Sequence, residues 1–196
     1  MKYYLKREQR IDNILLSLKR LTFLNRSQLQ ILNGLGGDRN AQKVLKSMSE
    51  YVNSFRSDGQ TIYYLTKEGR TRVDCKKKAK KSTTAQHYIM RNDLYIACKF
   101  PKTWKNEVDI KVKGLGDIRC DAMFTVGEKP YFIEIDHTQK MKINEKKMET
   151  YRKIINAFPF QPVFLWVTTT EYKRNQLKKL CEGLESRIYI ASELKN

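Results

Sequence analysis

Apolar residues in the first part of the chain recur at helical spacing. The earliest set is Ile11, Ile14, Leu15, Leu18 and Leu21. This spacing places all of them on one face of a helix. A short second helix is predicted to open with a capping box, in which Ser27 comes first and Gln30 follows three positions later, and to end at Leu32.

A third helix is predicted to begin at Asp38, a residue type that caps helix N-termini well. Its apolar face would consist of Ala41, Val44, Leu45, Met48, Tyr51 and Val52. Its opposite face would carry the polar and basic residues Arg39, Asn40, Gln42, Lys43 and Lys46. After this helix, the apolar runs 51–55 and 61–65 flank an Asp-Gly pair, which predicts a β-hairpin.

Three helices followed by a hairpin are typical of a winged helix-turn-helix. In that arrangement the third helix enters the major groove of DNA and the hairpin lies against the backbone. Arg, Asn, Gln and Lys are side chains that contact base edges and phosphates. The polar face of the third helix, together with Arg56 in the hairpin, is therefore predicted to bind double-stranded DNA. The alternative is a helical bundle whose third helix has a merely solvated polar face.

Positive charge is concentrated at the front of the chain. The 196 residues carry a formal net charge of +18. Residues 1–84 hold 19 Lys and Arg against 7 Asp and Glu, whereas residues 85–196 hold 20 against 14. This asymmetry favours a polyanion-binding module in the first part of the chain.

A lysine-rich segment separates the two parts of the chain. Five of the six residues 76–81 are lysines, beginning with Lys76, Lys77 and Lys78. Such a run is usually a solvated linker, and it could also add phosphate contacts. The predicted organisation is a DNA-binding domain over residues 1–74, a basic linker over 75–84 and a second domain over 85–196.

The remaining composition excludes several classes of protein. The four cysteines are widely separated, which argues against a zinc cluster and against a disulfide scaffold. No apolar run approaches the length of a membrane span, and the N-terminus lacks the apolar segment of a signal peptide. A soluble cytoplasmic protein without a membrane partner is expected.

The second part of the chain alternates between helix and strand patterns. Helices are predicted at residues 85–100 and 143–158, and another begins at Thr170. Strands are predicted at 108–112, in a hairpin over 119–136, at 162–168 and at 187–191. The continuous apolar run at 162–168 indicates a strand that is buried on both faces. The order αβββαβαβ predicts a mixed sheet flanked by helices, so the fold class is α+β or α/β.

Two carboxylates occupy an otherwise apolar strand of this sheet. Because side chains alternate along a strand, Phe132, Glu134 and Asp136 share one face. Asp121 lies in the preceding arm of the hairpin and could converge on the same face. Neighbouring carboxylates repel unless a cation, a proton or a basic side chain lies between them. The face is therefore either a site for a hard cation such as Mg²⁺ or Mn²⁺, or a solvated sheet edge.

An Asp on one strand and Glu-x-Asp on the next resemble the core of PD-(D/E)XK nucleases. The whole chain resembles the replication-relaxation family of plasmids and integrative elements in Gram-positive bacteria. The matching residues are Tyr64, Leu65, Thr66, Gly69, His87, Asn92, Asp93, Asp121, Phe132, Glu134, Asp136, Thr138, Lys147 and Tyr151. The resemblance implies DNA binding in replication, relaxation or mobilisation. The expected partner is double-stranded DNA, and further candidates are a relaxase or replication protein and a second copy of the chain in a homodimer.

The nuclease resemblance carries over only in part. In active nucleases the first Asp and the Glu hold a divalent metal, and a Lys two residues after the Glu activates water. Asp121 and Glu134 match these ligands, with Asp136 assisting as a third. However, Asp136 also stands at the Lys position, and Cys120 replaces the preceding Pro.

Three functional alternatives follow from this departure. The leading one is a DNA-binding protein with a repurposed nuclease-like domain, in which Asp136 could pair with Lys147 without any metal. The second is an active Mg²⁺- or Mn²⁺-dependent endonuclease, in which Lys140 or Lys147 replaces the missing lysine. The third is a transcriptional regulator that uses the same basic helix.

Overall fold

The computed structural model describes residues 2–194, and the side chains of residues 4–194. The fold combines α-helices with two β-sheets. The chain divides into two units, Met1–Asn92 and Asp93–Asn196. Within the described residues, no helix is both long enough and apolar enough to cross a membrane.

The first unit combines helices with a three-stranded antiparallel sheet. Its elements are α1 (Lys2–Leu21), β1 (Leu24–Asn25), α2 (Arg26–Asn33), α3 (Asp38–Lys46), β2 (Val52–Ser57), β3 (Gln60–Leu65) and α4 (Lys67–Arg72). The strands lie in the order β1-β3-β2. The predicted hairpin is confirmed, with Asp58 and Gly59 both at positive φ (45° and 74°), as a tight two-residue turn requires.

The start of α2 differs from the prediction. The capping residue is Asn25, whose Oδ1 accepts a hydrogen bond from Gln28 N at 2.8 Å. Gln28 Oε1 in turn accepts from Asn25 N at 3.2 Å, so the capping box lies two residues before the predicted Ser27–Gln30 pair. The reason is tertiary, because Asn25 also pairs with Ile62 of β3 and is thereby held in the extended conformation that a cap needs.

The third helix is shorter than predicted. Its N-cap is Gly37, Asp38 is its first residue, and it ends at Lys46. The prediction that its apolar face continues to Val52 is wrong, because Val52 opens β2 and pairs with Leu65. Strand pairing with β3 therefore overrides the helical periodicity at this point.

The core of the first unit lies under α1, and the predicted apolar face of this helix is confirmed as buried. Helix α5 (Ala85–Ala97) contributes to the same unit, because Ala85 and Ile89 cluster with Phe23 and Ile62. The units therefore divide within α5, whereas the composition of the sequence predicts the boundary in the lysine-rich segment.

The second unit contains a five-stranded mixed sheet. After α5 its elements are β4 (Lys105–Val112), β5 (Gly116–Val126), β6 (Lys129–Asp136), α6 (Met141–Ile154), β7 (Val163–Thr168), α7 (Glu171–Leu180) and β8 (Ser186–Ile190), with short 3₁₀ turns at Ile155–Ala157 and Ala191–Leu194. Strands β4, β5 and β6 are antiparallel, and β6, β7 and β8 are parallel. The predicted order αβββαβαβ is confirmed, and β7 is buried along its whole length.

One face of this sheet packs against α6 and α7. Met148 and Tyr151 of α6 and Leu177 of α7 join Phe132, Phe164 and Trp166 of the strands in one buried cluster. The rings of Phe132 and Tyr151 stack with centroids 5.6 Å apart. Because side chains alternate along β6, Glu134 and Asp136 lie on the same face as Phe132.

Residues 64–69, with the sequence Tyr-Leu-Thr-Lys-Glu-Gly, form a tight corner in the first unit. Thr66 caps α4 by accepting a hydrogen bond from Gly69 N at 3.0 Å, and its hydroxyl donates to Glu50 O at 2.7 Å. A Cβ atom on Gly69 would lie only 2.1 Å from the backbone oxygen of Tyr51. That oxygen already accepts a hydrogen bond from Thr66 N at 3.0 Å, so the glycine is needed for close backbone approach.

We expect Gly69→Ala to lower the free energy of unfolding by about 2–4 kcal/mol, because the added methyl group must push backbone away from backbone. Gly37→Ala is the matched control, since a Cβ atom on Gly37 would meet nothing within 4 Å and the residue has a negative φ of −70°. The control should lose less than about 1 kcal/mol. Urea denaturation of both variants measures the difference, and equal losses would contradict the steric explanation.

Candidate functional site

The carboxyl group of Glu134 is buried between the sheet and α6. Only 1% of the residue is exposed. Lys147 Nζ donates a short hydrogen bond to Glu134 Oε2, and Tyr151 Oη donates to Glu134 Oε1 at 2.5 Å. Lys147 and Tyr151 are four residues apart on α6 and therefore project from the same helix face. Both carboxyl oxygens thus have a donor from α6.

Burial determines the electrostatics of this cluster. The pKa of Glu134 is raised to about 8. Removal from water is the largest cause, and the charge of Asp121 also raises this pKa, while Lys147 and the hydrogen bond from Tyr151 lower it. Burial lowers the pKa of Lys147, but Glu134 and Asp121 outweigh it, so the net pKa is raised. Burial and Glu134 hold the pKa of Tyr151 well above its usual value. Lys147 therefore stays charged and Tyr151 stays a donor.

Asp121 joins the cluster from β5. Its Oδ2 accepts a hydrogen bond from the backbone N–H of Ile135 at 2.7 Å, which ties β5 to the end of β6. The neighbouring Cys120 is completely buried, and its Sγ donates to Val108 O at 3.6 Å. Burial raises the pKa of the Cys120 thiol to about 12, with a further increase from Glu134, so this thiol remains protonated.

Asp136 has a separate set of partners. It is fully buried, and its carboxylate accepts hydrogen bonds from Thr168 Oγ1 and from Lys173 Nζ, each at 3.0 Å. Lys173 Nζ also donates to Gln139 O at 3.1 Å. Lys173 is absent from the residues predicted from the sequence. The available signal was its position in the first turn of the helix that follows β7, since β7 runs parallel to β6 and ends beside Asp136.

Two expectations about this face are corrected. Asp136 does not pair with Lys147, because Lys147 lies beside Tyr151 on α6 and both side chains reach Glu134. The alternative of a solvated sheet edge is also wrong for Glu134 and Asp136, since helices cover both residues. Lys140 is exposed at the N-cap of α6.

The carboxylates do not form a set of metal ligands in this arrangement. Within residues 2–194, no group of three or more His, Cys, Asp or Glu side chains is placed to hold a metal ion. Glu134 receives donors at both of its oxygens, and Asp136 receives an ammonium group and a hydroxyl group. The metal site at Asp121, Glu134 and Asp136 stays a prediction of the sequence.

The predicted DNA-binding residues of α3 lie on its exposed side. Arg39, Asn40, Gln42, Lys43 and Lys46 are all exposed, whereas Ala41 and Leu45 are buried. Asn40 Nδ2 donates to Leu35 O at 2.7 Å, so part of its amide is used within the protein. The polar face of α3 therefore presents mainly cations and the amide of Gln42.

Predicted DNA contacts outside α3 are also exposed. Arg56 in the hairpin lines a polar cleft with Gln42 and Tyr63, and its Nη1 donates to Thr61 Oγ1 at 3.4 Å. The linker lysines Lys76, Lys77 and Lys78 are exposed, although Lys77 Nζ lies 5.2 Å from the centre of the Tyr88 ring.

The raised pKa of Glu134 predicts a pH-dependent stability. Between about pH 5 and about pH 8 the folded protein binds more protons at this carboxyl group than the unfolded chain does, so its contribution to stability is lost as the pH rises. We expect Glu134→Gln to reduce this loss by about 2–4 kcal/mol over the same window. Urea denaturation at several pH values measures the effect. Glu128→Gln, in the exposed turn before β6, is the control and should keep the wild-type pH profile.

Comparison with known proteins identifies the family of the chain. Protein VC1899 from Vibrio cholerae is similar in structure, with 14% sequence identity and a TM-score of 0.43, over 96% of this chain and 53% of that protein. Can2 from Sulfobacillus thermosulfidooxidans, solved with cyclic tetra-adenylate, is similar with 12% identity and a TM-score of 0.41, over 96% and 53%. The chain thus spans about half the length of both proteins. No curated protein matches the sequence. The profile of the replication-relaxation family matches residues 15–165, and the chain belongs to this family.

Proposed function

We propose that the protein binds double-stranded DNA in the cytoplasm and acts in the replication, relaxation or mobilisation of a plasmid or integrative element. Membership of the replication-relaxation family supports the role in a mobile element. The observation that carries DNA binding is the face of α3, where Arg39, Gln42, Lys43 and Lys46 are exposed while Ala41 and Leu45 anchor the helix in the core.

The topology of the first unit supports α3 as the recognition helix. A strand, two helices and a hairpin in the order β1-α2-α3-β2-β3, with the sheet order β1-β3-β2, are the elements of a winged helix. In that fold the second helix of the turn enters the major groove, and the hairpin contacts the phosphate backbone. The arginines and lysines of α3 and the hairpin would supply the contacts.

The second unit is proposed to have a binding role. Its order of helices and strands and its acidic residues resemble a PD-(D/E)XK nuclease, but the position of the nuclease lysine holds Asp136. That carboxylate is fully buried and paired with Lys173. The unit would then present a surface for a relaxase, a replication protein or a second copy of the chain.

We expect the variant Arg39→Ala/Lys43→Ala to weaken binding of a mixed-sequence DNA duplex at least tenfold, because it removes two cations from the recognition face. Fluorescence anisotropy at fixed salt measures the dissociation constant. Lys105→Ala, which removes an exposed cation from β4, and Glu134→Gln should change affinity less than about threefold. Full affinity in the double variant, with its fold intact by circular dichroism, would refute the proposed function.

One observation favours a second candidate, a DNA endonuclease. The ammonium group of Lys147 contacts Glu134, and the charge of Asp121 acts on both groups. A cation held beside two acids could stabilise negative charge that develops on a phosphate. Against this, both Glu134 oxygens already receive hydrogen bonds, so the acids do not fit a metal as they are arranged.

A plasmid assay separates the two candidates. We expect purified protein to leave supercoiled DNA intact in the presence of either Mg²⁺ or Mn²⁺, because the donors on Glu134 compete with metal binding. Nicking that disappears in both Glu134→Gln and Lys147→Met, while DNA binding persists, would establish the endonuclease instead. Gel electrophoresis of the plasmid provides the measurement.

A further inference from the structure

The acidic residues of α1 are neutralised by a single arginine from α4. Arg72 Nη2 lies 2.8 Å from Glu8 Oε2, and Arg72 Nε lies 2.7 Å from Asp12 Oδ1. Hydrogen bonds from Arg72 to these two carboxylates raise the pKa of the guanidinium further above its usual value. The two acids of α1 are therefore paired with a cation on the side of the helix that faces α4.

The opposite side of α1 forms a cationic groove with α3. It is lined by Arg7, Arg10 and Ile11 of α1 and by Asn40, Lys43 and Val44 of α3. All three basic side chains are exposed or partly exposed, whereas Ile11 is buried. We call this feature the α1–α3 groove.

The charges in the α1–α3 groove are not balanced within the described part of the chain. Among residues 4–194, no Asp or Glu lies within ion-pair distance of Arg7, Arg10 or Lys43. The acid at the start of α3, Asp38, is instead paired with Arg26 at 2.8 Å. Three positive charges therefore remain available to an external anion.

We infer that the α1–α3 groove binds the phosphate backbone of the duplex that α3 contacts, an inference that rests on the proposed function. Lys43 belongs to both surfaces, so a duplex on α3 extends into the groove. Arg7 and Arg10 are three residues apart, about 4.5 Å along the helix axis, and can contact one strand together. Arginine is also the side chain whose planar donors match phosphate geometry.

The exposed charge of the groove favours DNA over an acidic peptide. A peptide in a helical groove is usually anchored by apolar side chains that enter apolar pockets. Here Arg7, Arg10 and Lys43 are exposed, whereas Ile11 is buried and Val44 is only partly exposed, so the side chains that reach furthest into solvent are basic. Recognition in this groove therefore depends on charge, which suits a phosphate backbone and is independent of base sequence.

The inference is tested with Arg7→Gln/Arg10→Gln, which removes two charges from α1 and leaves the α3 residues unchanged. The probe is a fluorescein-labelled, mixed-sequence duplex of about 25 base pairs, titrated at about 50 to about 300 mM KCl. We expect at least a tenfold loss of affinity at about 100 mM KCl and a decrease of about 1.8 in the salt slope, or about 0.9 for each lost phosphate contact. Thermal unfolding verifies that the variant folds.

A charge-matched control and a second probe complete the test. Lys178→Gln/Lys179→Gln removes two exposed cations from α7 and should leave the salt slope unchanged. If the α1 variant behaves like this control while the α3 variant loses affinity, the inference fails and the proposed function stands. If the wild-type protein does not bind the duplex at all, the proposed function fails as well. If Arg7→Gln/Arg10→Gln loses binding to poly-glutamate but binds the duplex as the wild type does, the groove recognises an acidic peptide and the inference fails.

Discussion

Two carboxyl groups buried in the second sheet depend on the helices that cover it for their hydrogen-bond donors. A carboxyl group removed from water must hold its proton or find cations and hydrogen-bond donors. Glu134 takes its donors from α6 and Asp136 takes its cation from α7. The apolar cluster around Phe132 supplies most of the buried area, but apolar packing is non-directional. The hydrogen bonds to these carboxyl groups add direction, because each forms only when its helix has the correct position and rotation.

The family residues separate into two structural roles. Lys147 and Tyr151 both donate hydrogen bonds to Glu134, so these three residues form one polar set on the sheet face. Thr66 and Gly69 form a backbone corner in the first unit instead, and Gly69 permits an approach to Tyr51 that a side chain would prevent. The first set lies in the second unit, whereas Thr66 and Gly69 stabilise a backbone corner of the first unit.

The first unit produces its basic surface by pairing its acids internally. Arg72 forms ion pairs with Glu8 and Asp12, and Arg26 forms an ion pair with Asp38. These pairs are partly exposed, so each adds little to stability. They also shape the field outside the protein, since among residues 4–194 no acid lies within ion-pair distance of Arg7, Arg10 or Lys43. The positive charge of Arg7, Arg10 and Lys43 is thereby concentrated at the α1–α3 groove.

Local sequence patterns were enough to predict most elements and much of the pattern of burial. The spacing of Ile14 and Leu18 predicted α1, Asp58-Gly59 predicted the hairpin turn, and the order of strands and helices predicted the mixed sheet, because these signals depend on neighbours within a few residues. The capping by Asn25, the end of α3 and the partners of the buried acids depend on contacts between distant parts of the chain. Lys147 and Lys173 lie 13 and 37 positions from their carboxylates, so only the packing of α6 and α7 on the sheet brings each pair together.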